Sequence, residues 1–408
     1  MKILQVLTYY RPHVSGLTIY VERLCRALVR QGHEVTVLTS QYENDLPREE
    51  IMDGVRIVRV PVAFRVSKGV IMPTFGHHAT KLALWADIMH LHLPQFDAPG
   101  LALRGRLMRR PVVLTYHCDL QLPQGGFNKI VNRVVLTMND IAGGLANAVV
   151  TYTRDYGMHS FFLSRYLGRK LQIIPPPVEL APCSDEEAAA FREKNKLAGH
   201  QVIGISARLA SEKGVEVLLR ALPQVRERFP EAIVLHAGPY QNIMGEEEYY
   251  ERLQPLLAEQ GDHYRFLGTL HGSELTAFYK NLDVLTIPSL NSTESFGLVQ
   301  IEAMSHGVPV VASNLPGVRQ PVTMTGMGEV TPIGDHAALA RGLIQVLSHK
   351  DNYLRPAEPI AATFAPDNTA QEYATLYEKL RRGELEREAT EPAGYNQLRQ
   401  LNSEHQPT

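Results

Sequence analysis

Two glutamates, Glu294 and Glu302, bracket the segment ESFGLVQIEAM that follows the apolar run VLTIPS and the loop LNST. A loop running into a helix would put Ser295 at a capping position and leave the amides of Phe296, Gly297 and Leu298 at the open N-terminus. Free amides at the positive end of a helix dipole suit a diphosphate. Glu302, about two turns into that helix, could accept hydrogen bonds from a vicinal diol such as a ribose. Glu294 is then left for hydroxyls on the other side of the phosphates. An ordinary capped helix carrying two solvated glutamates is the plain alternative, and Gly297, a poor helix former in the first turn, speaks against it. A second segment, SARLASEKG from Ser206 to Gly214, spaces Arg208 and Lys213 so that both cations can reach one diphosphate and ease its departure as a leaving group. A third residue, His117, closes the strand-like run VVLTYHCD. Its imidazole can donate to a hydroxyl when neutral or stabilise developing negative charge when protonated. His90 and His92, in DIMHLHLP, alternate onto one face of a strand, but no third metal ligand follows by spacing.

These residues need elements to hold them. The chain opens with the apolar run Ile3–Leu7 and the loop RPHVSGL. Val21, Leu24, Cys25 and Leu28 then recur at helical spacing, Gly32 stops the helix, and Val35–Leu38 reads as a second strand. Strand-like runs continue at Ile57–Val60, Ile88–Leu91, Val112–Thr115 and Ala148–Thr151. This alternation predicts an α/β domain with a parallel sheet over residues 1–175. The proline-rich stretch from Ile173 and the charge run up to Glu187 predict a linker, placed at residues 176–200. A second series runs through Val202–Ser206, Ala232–Ala237, Tyr264–Leu267, Val284–Ile287 and Val308–Ala312, with Val215, Leu218, Leu219 and Leu222 on one helix face. It predicts a second doubly wound domain over residues 201–365. Residues 366–382 read as a helix returning to the first domain, and residues 383–408 as a polar, mobile tail. In such a pair, strand ends and glycine loops of the two domains are expected to face each other across a cleft.

Composition agrees with that plan. At 408 residues the chain has room for two domains, and 44% hydrophobic with 21% charged residues excludes wholesale disorder. Cys25, Cys118 and Cys183 are isolated, with no CxxC pair, so neither a disulfide framework nor a structural zinc site is expected. The isolated cysteines fit a reducing cytoplasm; the opening residues form too short an apolar run for a signal peptide and no run reaches a membrane span, which predicts a soluble or peripheral protein. Residues 1–175 carry 21 Lys and Arg against 12 Asp and Glu. Arg104, Arg106, Arg109, Arg110, Lys129 and Arg133 form the basic stretch, and the four clustered arginines are interleaved with Leu101, Leu103, Leu107 and Met108. That mixture suits a peripheral contact with an anionic membrane surface, or equally a solvated helix with its apolar face in the core.

Arg208, Lys213 and the Glu294–Glu302 spacing together resemble the GT4 family of retaining glycosyltransferases, as does RQGHEVTVLTS at Arg30–Ser40. The resemblance runs over most of the chain and implies the GT-B fold, two Rossmann-like domains. It implies transfer of a hexose from a nucleotide-diphosphate sugar, UDP-hexose or GDP-mannose, to an acceptor hydroxyl, and leaves open a lipid-linked, polysaccharide, protein or small polyol acceptor. It assigns Arg208 and Lys213 to the donor diphosphate, Glu302 to the nucleoside ribose, Glu294 to the sugar hydroxyls and His117 to a place beside the reacting sugar. Gly16, in the first loop, would allow close approach of phosphate or acceptor. This loop has Ser15 and Gly16 where the family commonly has paired glycines, Ala207 stands where a glycine often precedes the arginine, and Gln320 where an acid is frequent. The sequence has no Asp-x-Asp, so Arg208 and Lys213 would do the work of a metal and no cofactor or nucleic acid is implied. An epimerase of the same fold and a non-catalytic nucleotide-sugar-binding protein remain as alternatives.

Overall fold

The computed structural model describes residues 1–66, 69–121, 126–241, 243, 245–387 and 390–404, with the side chains of residues 66 and 126–130, Lys129 among them, outside the description. It divides into two units, residues Met1–Pro177 with Phe364–Pro392, and Val178–Thr363 with Ala393–Thr408.

The first unit contains β1 (Lys2–Val6), α1 (Gly16–Arg30), β2 (Glu34–Gln41), β3 (Glu49–Met52), β4 (Val55–Pro61), β5 (Phe64–Val66), β6 (Gly69–Ile71), α2 (Phe75–Trp85), β7 (Ile88–Leu93), α3 (Ala98–Leu107), β8 (Val112–Tyr116), α4 (Gly126–Leu145), β9 (Ala148–Thr151), α5 (Arg154–His159) and β10 (Leu171–Ile173). Its eight-stranded sheet has the order β10-β9-β8-β7-β1-β2-β4-β3, parallel except for the edge strand β3, and β5 pairs only with β6. Central strands such as IMHLHL are buried along their whole length because helices cover both faces, which is why they read as runs rather than alternations.

The second unit contains α6 (Asp185–Lys194), β11 (Val202–Ser206), α7 (Val215–Arg228), β12 (Ile233–Ala237), α8 (Glu247–Gln260), β13 (Tyr264–Gly268), α9 (Gly272–Lys280), β14 (Val284–Ile287), α10 (Leu298–Met304), β15 (Val310–Ser313), α11 (Gln320–Thr325), β16 (Gly328–Thr331), α12 (His336–Ser348) and α13 (Ala357–Phe364). Its six strands are all parallel in the order β13-β12-β11-β14-β15-β16. Ile203, Leu218, Leu222, Val234 and Leu343 lie in one buried cluster beneath α7 and α12. Each such side chain contributes about 1.5–3 kcal/mol on burial.

Residues 176–200, expected as a linker, hold α6. Ser184 and Glu187 form a reciprocal capping box, acids fill the first turn, bases the last, and Phe191 is buried. The charge run is therefore a helix signature. Beyond α13, α14 (Pro366–Arg382) packs on α1 within the first unit, and α15 (Ala393–Glu404) packs on α11 within the second. The expected mobile tail thus contains a helix, held by buried Tyr395 and Leu398. Its last four residues, 405–408, lie outside the described residues.

The four clustered arginines are partly committed to structure. Arg104 donates to Thr80 Oγ1 (3.0 Å) and the Gly100 carbonyl (2.8 Å), Arg106 to the Leu145 carbonyl (2.9 Å) and Arg110 to the Leu84 carbonyl (3.1 Å). Leu101 is buried, whereas Leu84, Leu103 and Leu107 are exposed. Among the described residues no helix is long and apolar enough to cross a membrane.

Candidate active site

In the second unit β12 lies on one side of β11 and β14 on the other, so the strand order reverses between β11 and β14. Open α/β sheets bind ligands at the carboxyl ends of the two strands flanking such a reversal. Arg208 and Lys213 follow β11, and Glu294 follows β14. Two backbone features bring them together. Gly214 has φ +69°, and a Cβ there would lie 1.9 Å from the Pro288 carbonyl oxygen, so a side chain would hold the two loops apart. The Leu290 amide donates to the Glu212 carbonyl (2.8 Å), which fastens them.

As a result Lys213 Nζ donates to Glu294 Oε2 at 2.6 Å, with both side chains about four-fifths buried (22% and 18% exposed). Arg208 pairs with Glu212, four positions on across the loop, and faces Glu246 at 3.8 Å. Glu246 also accepts from the Ser211 amide at 2.9 Å. The cluster sets two cations against three carboxylates at the rim of a helix-lined sheet. It can exchange internal carboxylates for the oxygens of an arriving anion, charge for charge. Glu212 and Glu246 are additions to the residues expected from sequence. The i, i+4 spacing of Arg208 and Glu212 is a signal for the first, and nothing local points to the second.

The helix after Glu294 begins later than expected. Gly297, at φ +77°, occupies the cap position of α10, the place expected of Ser295, which is buried two residues earlier. A Cβ at Gly297 would lie 2.5 Å from Ile287 Cδ1. Gln300, fully buried and also absent from the sequence expectations, donates to the carbonyls of Phe296 (2.7 Å) and Val318 (2.9 Å) and so fixes the turn in front of Leu298. Glu302 lies just over one turn into α10, not two. It is 7% exposed, and Tyr279 donates its hydroxyl to Glu302 Oε2 at 2.8 Å.

In the first unit, Gly16 is the first residue of α1, which Ser15 caps by accepting from the Thr18 amide (3.2 Å). A Cβ at Gly16 would meet nothing within 4 Å. His117 follows β8 and is buried, and both of its ring nitrogens are engaged. Nε2 pairs with His92 Nδ1 (2.9 Å) and Nδ1 with the Tyr152 hydroxyl. His92 Nε2 in turn donates to Gln5 Oε1 at 2.7 Å, which leaves His92 Nδ1 as acceptor and makes His117 Nε2 the donor. A parallel chain runs from Tyr377 to His90 Nδ1 (2.7 Å), from His90 Nε2 to Thr115 (2.7 Å), then through Tyr373 to Tyr20 (2.7 Å each). Burial holds His117 neutral, its pKa lowered to about 3, and holds His90 and His92 well below the usual imidazole range. The imidazolium form expected as an alternative for His117 is therefore disfavoured. The His90–His92 pair serves this network, and no group of three or more potential metal ligands occurs among the described residues.

Residues 187–360 match the profile of the glycosyl transferases group 1, and residues 15–160 that of the glycosyl transferase 4-like domain. The chain belongs to the group 1 glycosyltransferases. This group 1 glycosyltransferase is 27% identical over 394 residues to an uncharacterized glycosyltransferase of Methanocaldococcus jannaschii, covering 92% of this chain and 98% of that one. It is 27% identical over 366 residues to the phosphatidyl-myo-inositol mannosyltransferase of Mycolicibacterium smegmatis, covering 87% of this chain and 86% of the relative. Its fold is GT-B, shared with the sucrose-phosphate synthase of Thermosynechococcus elongatus (TM-score 0.71, 21% identity, 94% and 99% of the two chains). HepE of Anabaena, in complex with UDP and glucose, matches with TM-score 0.72 at 19% identity over 93% and 99%. The enzyme is thus a glycosyltransferase that uses a nucleotide sugar, and nothing favours the epimerase alternative.

Proposed function

We propose that this glycosyltransferase moves mannose from GDP-mannose to an acceptor hydroxyl, with retention at the anomeric carbon. The Lys213–Glu294 contact at the reversal between β11 and β14 carries this reading. It sets a diphosphate-binding cation and a sugar-binding carboxylate side by side, as the junction between phosphate and hexose requires. The mannosyltransferase relatives support the donor. Arg208 and Lys213 take the diphosphate and neutralise it as it leaves. The turn at Phe296, Gly297 and Leu298 gives amides to the phosphates, Glu302 holds the ribose and Glu294 the sugar hydroxyls. His117 stands neutral at the sugar end, its ring held by His92 and Tyr152, and Gly16 leaves open space on the acceptor side. With no residue assigned as a covalent nucleophile, the acceptor attacks the face the phosphate leaves, and the phosphate takes its proton. Two cations at the leaving group make turnover independent of divalent metal.

A panel of nucleotide sugars offered to the purified enzyme tests this reading. Release of GDP from GDP-mannose, undiminished by chelator, is expected. Preference for a UDP-hexose would overturn the donor, and dependence on magnesium or manganese would overturn the role given to the cations. The enzyme is further proposed to work in the cytoplasm against the inner face of the membrane, through exposed Leu84, Leu103 and Leu107 beside Arg106 and Arg109. Flotation with anionic but not neutral liposomes is the expected result. Equal recovery with both would remove the membrane from the proposal.

A further inference from the structure

The first unit has a cavity of about 520 Å3 at the carboxyl ends of β2 and β4, lined by residues 41–45 and 62–65. Its walls are shaped by specific contacts. Gln41 folds the loop after β2 by donating its amide to the Leu46 carbonyl at 2.7 Å, and Arg65 donates to the Tyr42 carbonyl from the hairpin of β5 and β6. Tyr42 meets Tyr9 edge-on (5.7 Å between centroids) and His13 likewise (5.8 Å), while Tyr9 and His13 stack on each other at 5.0 Å. Through Tyr42 the cavity wall packs on Tyr9 and His13, in the loop that precedes Gly16. Phe64 is 58% exposed, a large ring held at the cavity wall with no core to fill. Glu43, Asn44 and Asp45 also line it, all exposed.

We infer that this cavity is a subsite for an uncharged sugar ring of the acceptor, one that lies away from the reacting hydroxyl. The inference rests on the first unit being the acceptor side of the proposed transfer. Aromatic side chains offer flat apolar faces to the C–H face of a pyranose. Carboxylates and an amide in the same lining accept and donate to its hydroxyls. Among the described lining residues two carboxylates stand against one cation, Arg65, a balance that disfavours a phosphate or a uronic acid. Position in the sheet decides which ring is bound. His117 follows β8 and the cavity begins at β2, three strand spacings along the sheet, or about 14 Å. That exceeds the width of one ring, so an acceptor with its reacting hydroxyl at the β8 end reaches the cavity only through a further sugar residue. The class of acceptor is a neutral glycan of at least two or three residues, not a lone monosaccharide.

Saturation-transfer NMR on the full chain with methyl mannoside, mannotriose, maltotriose and cellotriose tests the subsite without requiring turnover. A trisaccharide is expected to bind at least tenfold tighter than methyl mannoside and to receive saturation on its end ring. Phe64→Ala and Asp45→Asn, both at exposed positions, are expected to abolish that gain, while Phe64→Tyr keeps it. GDP calorimetry on the same samples reports on the donor reading separately. Chain-length preference that persists in Phe64→Ala and Asp45→Asn, or no trisaccharide binding by a protein that binds GDP, would overturn the subsite. Stronger binding of inositol phosphate than of any neutral trisaccharide would overturn its assignment to an uncharged ring. If the wild-type protein binds a trisaccharide, the two variants do not, and no nucleotide sugar is consumed, the subsite stands and the donor assignment falls instead.

Discussion

The two polar clusters of this enzyme are built on opposite principles. Around β11 and β14, Arg208, Lys213, Glu212, Glu246 and Glu294 are ionic, partly exposed and joined by pairs that can be exchanged for other charges. Along β1, β7 and β8, Gln5, His90, His92, Thr115, His117 and the tyrosines of α1 and α14 are neutral, buried and joined by hydrogen bonds between uncharged groups. The first arrangement loses little when a charged ligand displaces a partner, because the incoming oxygen replaces a carboxylate. The second loses the full desolvation cost of any group left unpaired. A site that must accept and release a diphosphate is served by the former, and a rigid wall by the latter.

Acid separates the two most strongly. His90, His92 and His117 have pKa values lowered in the folded state, so the unfolded chain binds more protons below its ordinary imidazole pKa of about 6.5. Their stabilising contribution is complete above that pH and is lost as the pH falls from about 6.5 toward the folded values. The second unit has one comparably buried imidazole among the described residues, His236, lowered to about 4. Hydrogen exchange at pH 5 is expected to show the first unit opening before the second. Simultaneous loss of protection in both would break the contrast.

Chemistry comes next in size. Glu294→Ala is expected to reduce kcat by about 100-fold or more while GDP binding holds or improves, because the substitution frees Lys213. His117→Ala is expected to lower turnover on a similar scale without changing GDP affinity. Equal losses in kcat and in GDP affinity for either variant would erase the division between sugar end and phosphate end. Arg208→Ala and Lys213→Ala should act in the other sense, weakening GDP by about 1.5–3 kcal/mol for one charge-assisted contact. Calorimetry checks it, and unchanged affinity would mean that the cations serve only their internal carboxylates.

The smallest effect sharpens the comparison inside the neutral network. Tyr373→Phe removes the hydroxyl between Thr115 and Tyr20 and should cost about 1–3 kcal/mol of stability in denaturant melts. Glu212→Gln, at the rim, should cost less than about 1 kcal/mol. A reversed order would show that the ionic cluster, not the network, is structural.

How much the sequence discloses follows from the range of the forces involved. Buried parallel strands announce themselves as apolar runs, so β1, β2, β7, β8, β11 and β14 are legible, and with them the loops bearing Arg208, Lys213, Glu294 and His117. The edge strand β3, EEIM, has almost no buried face, and β5 and β6 are three residues each, too short for any period. Helix α6 hides in the sequence because its capping box resembles linker polarity. The start of α10 lies later than the serine suggests because a left-handed glycine opens the helix. Least legible are the partners. Tyr377 lies 287 residues from His90, and Glu246 lies 38 positions from Arg208, pairings that only tertiary packing creates.

The route of the chain's last fifty residues has a consequence for synthesis. Because α14 belongs to the first unit and α15 to the second, neither unit is a continuous stretch of sequence. A ribosome emits β1, β7 and β8 long before Tyr373 and Tyr377 arrive to complete their hydrogen bonds. His90 and Tyr20 must wait, solvated or mispaired, until nearly the whole chain has emerged. A message truncated after α13 would therefore leave defects in the oldest part of the protein as well as the newest.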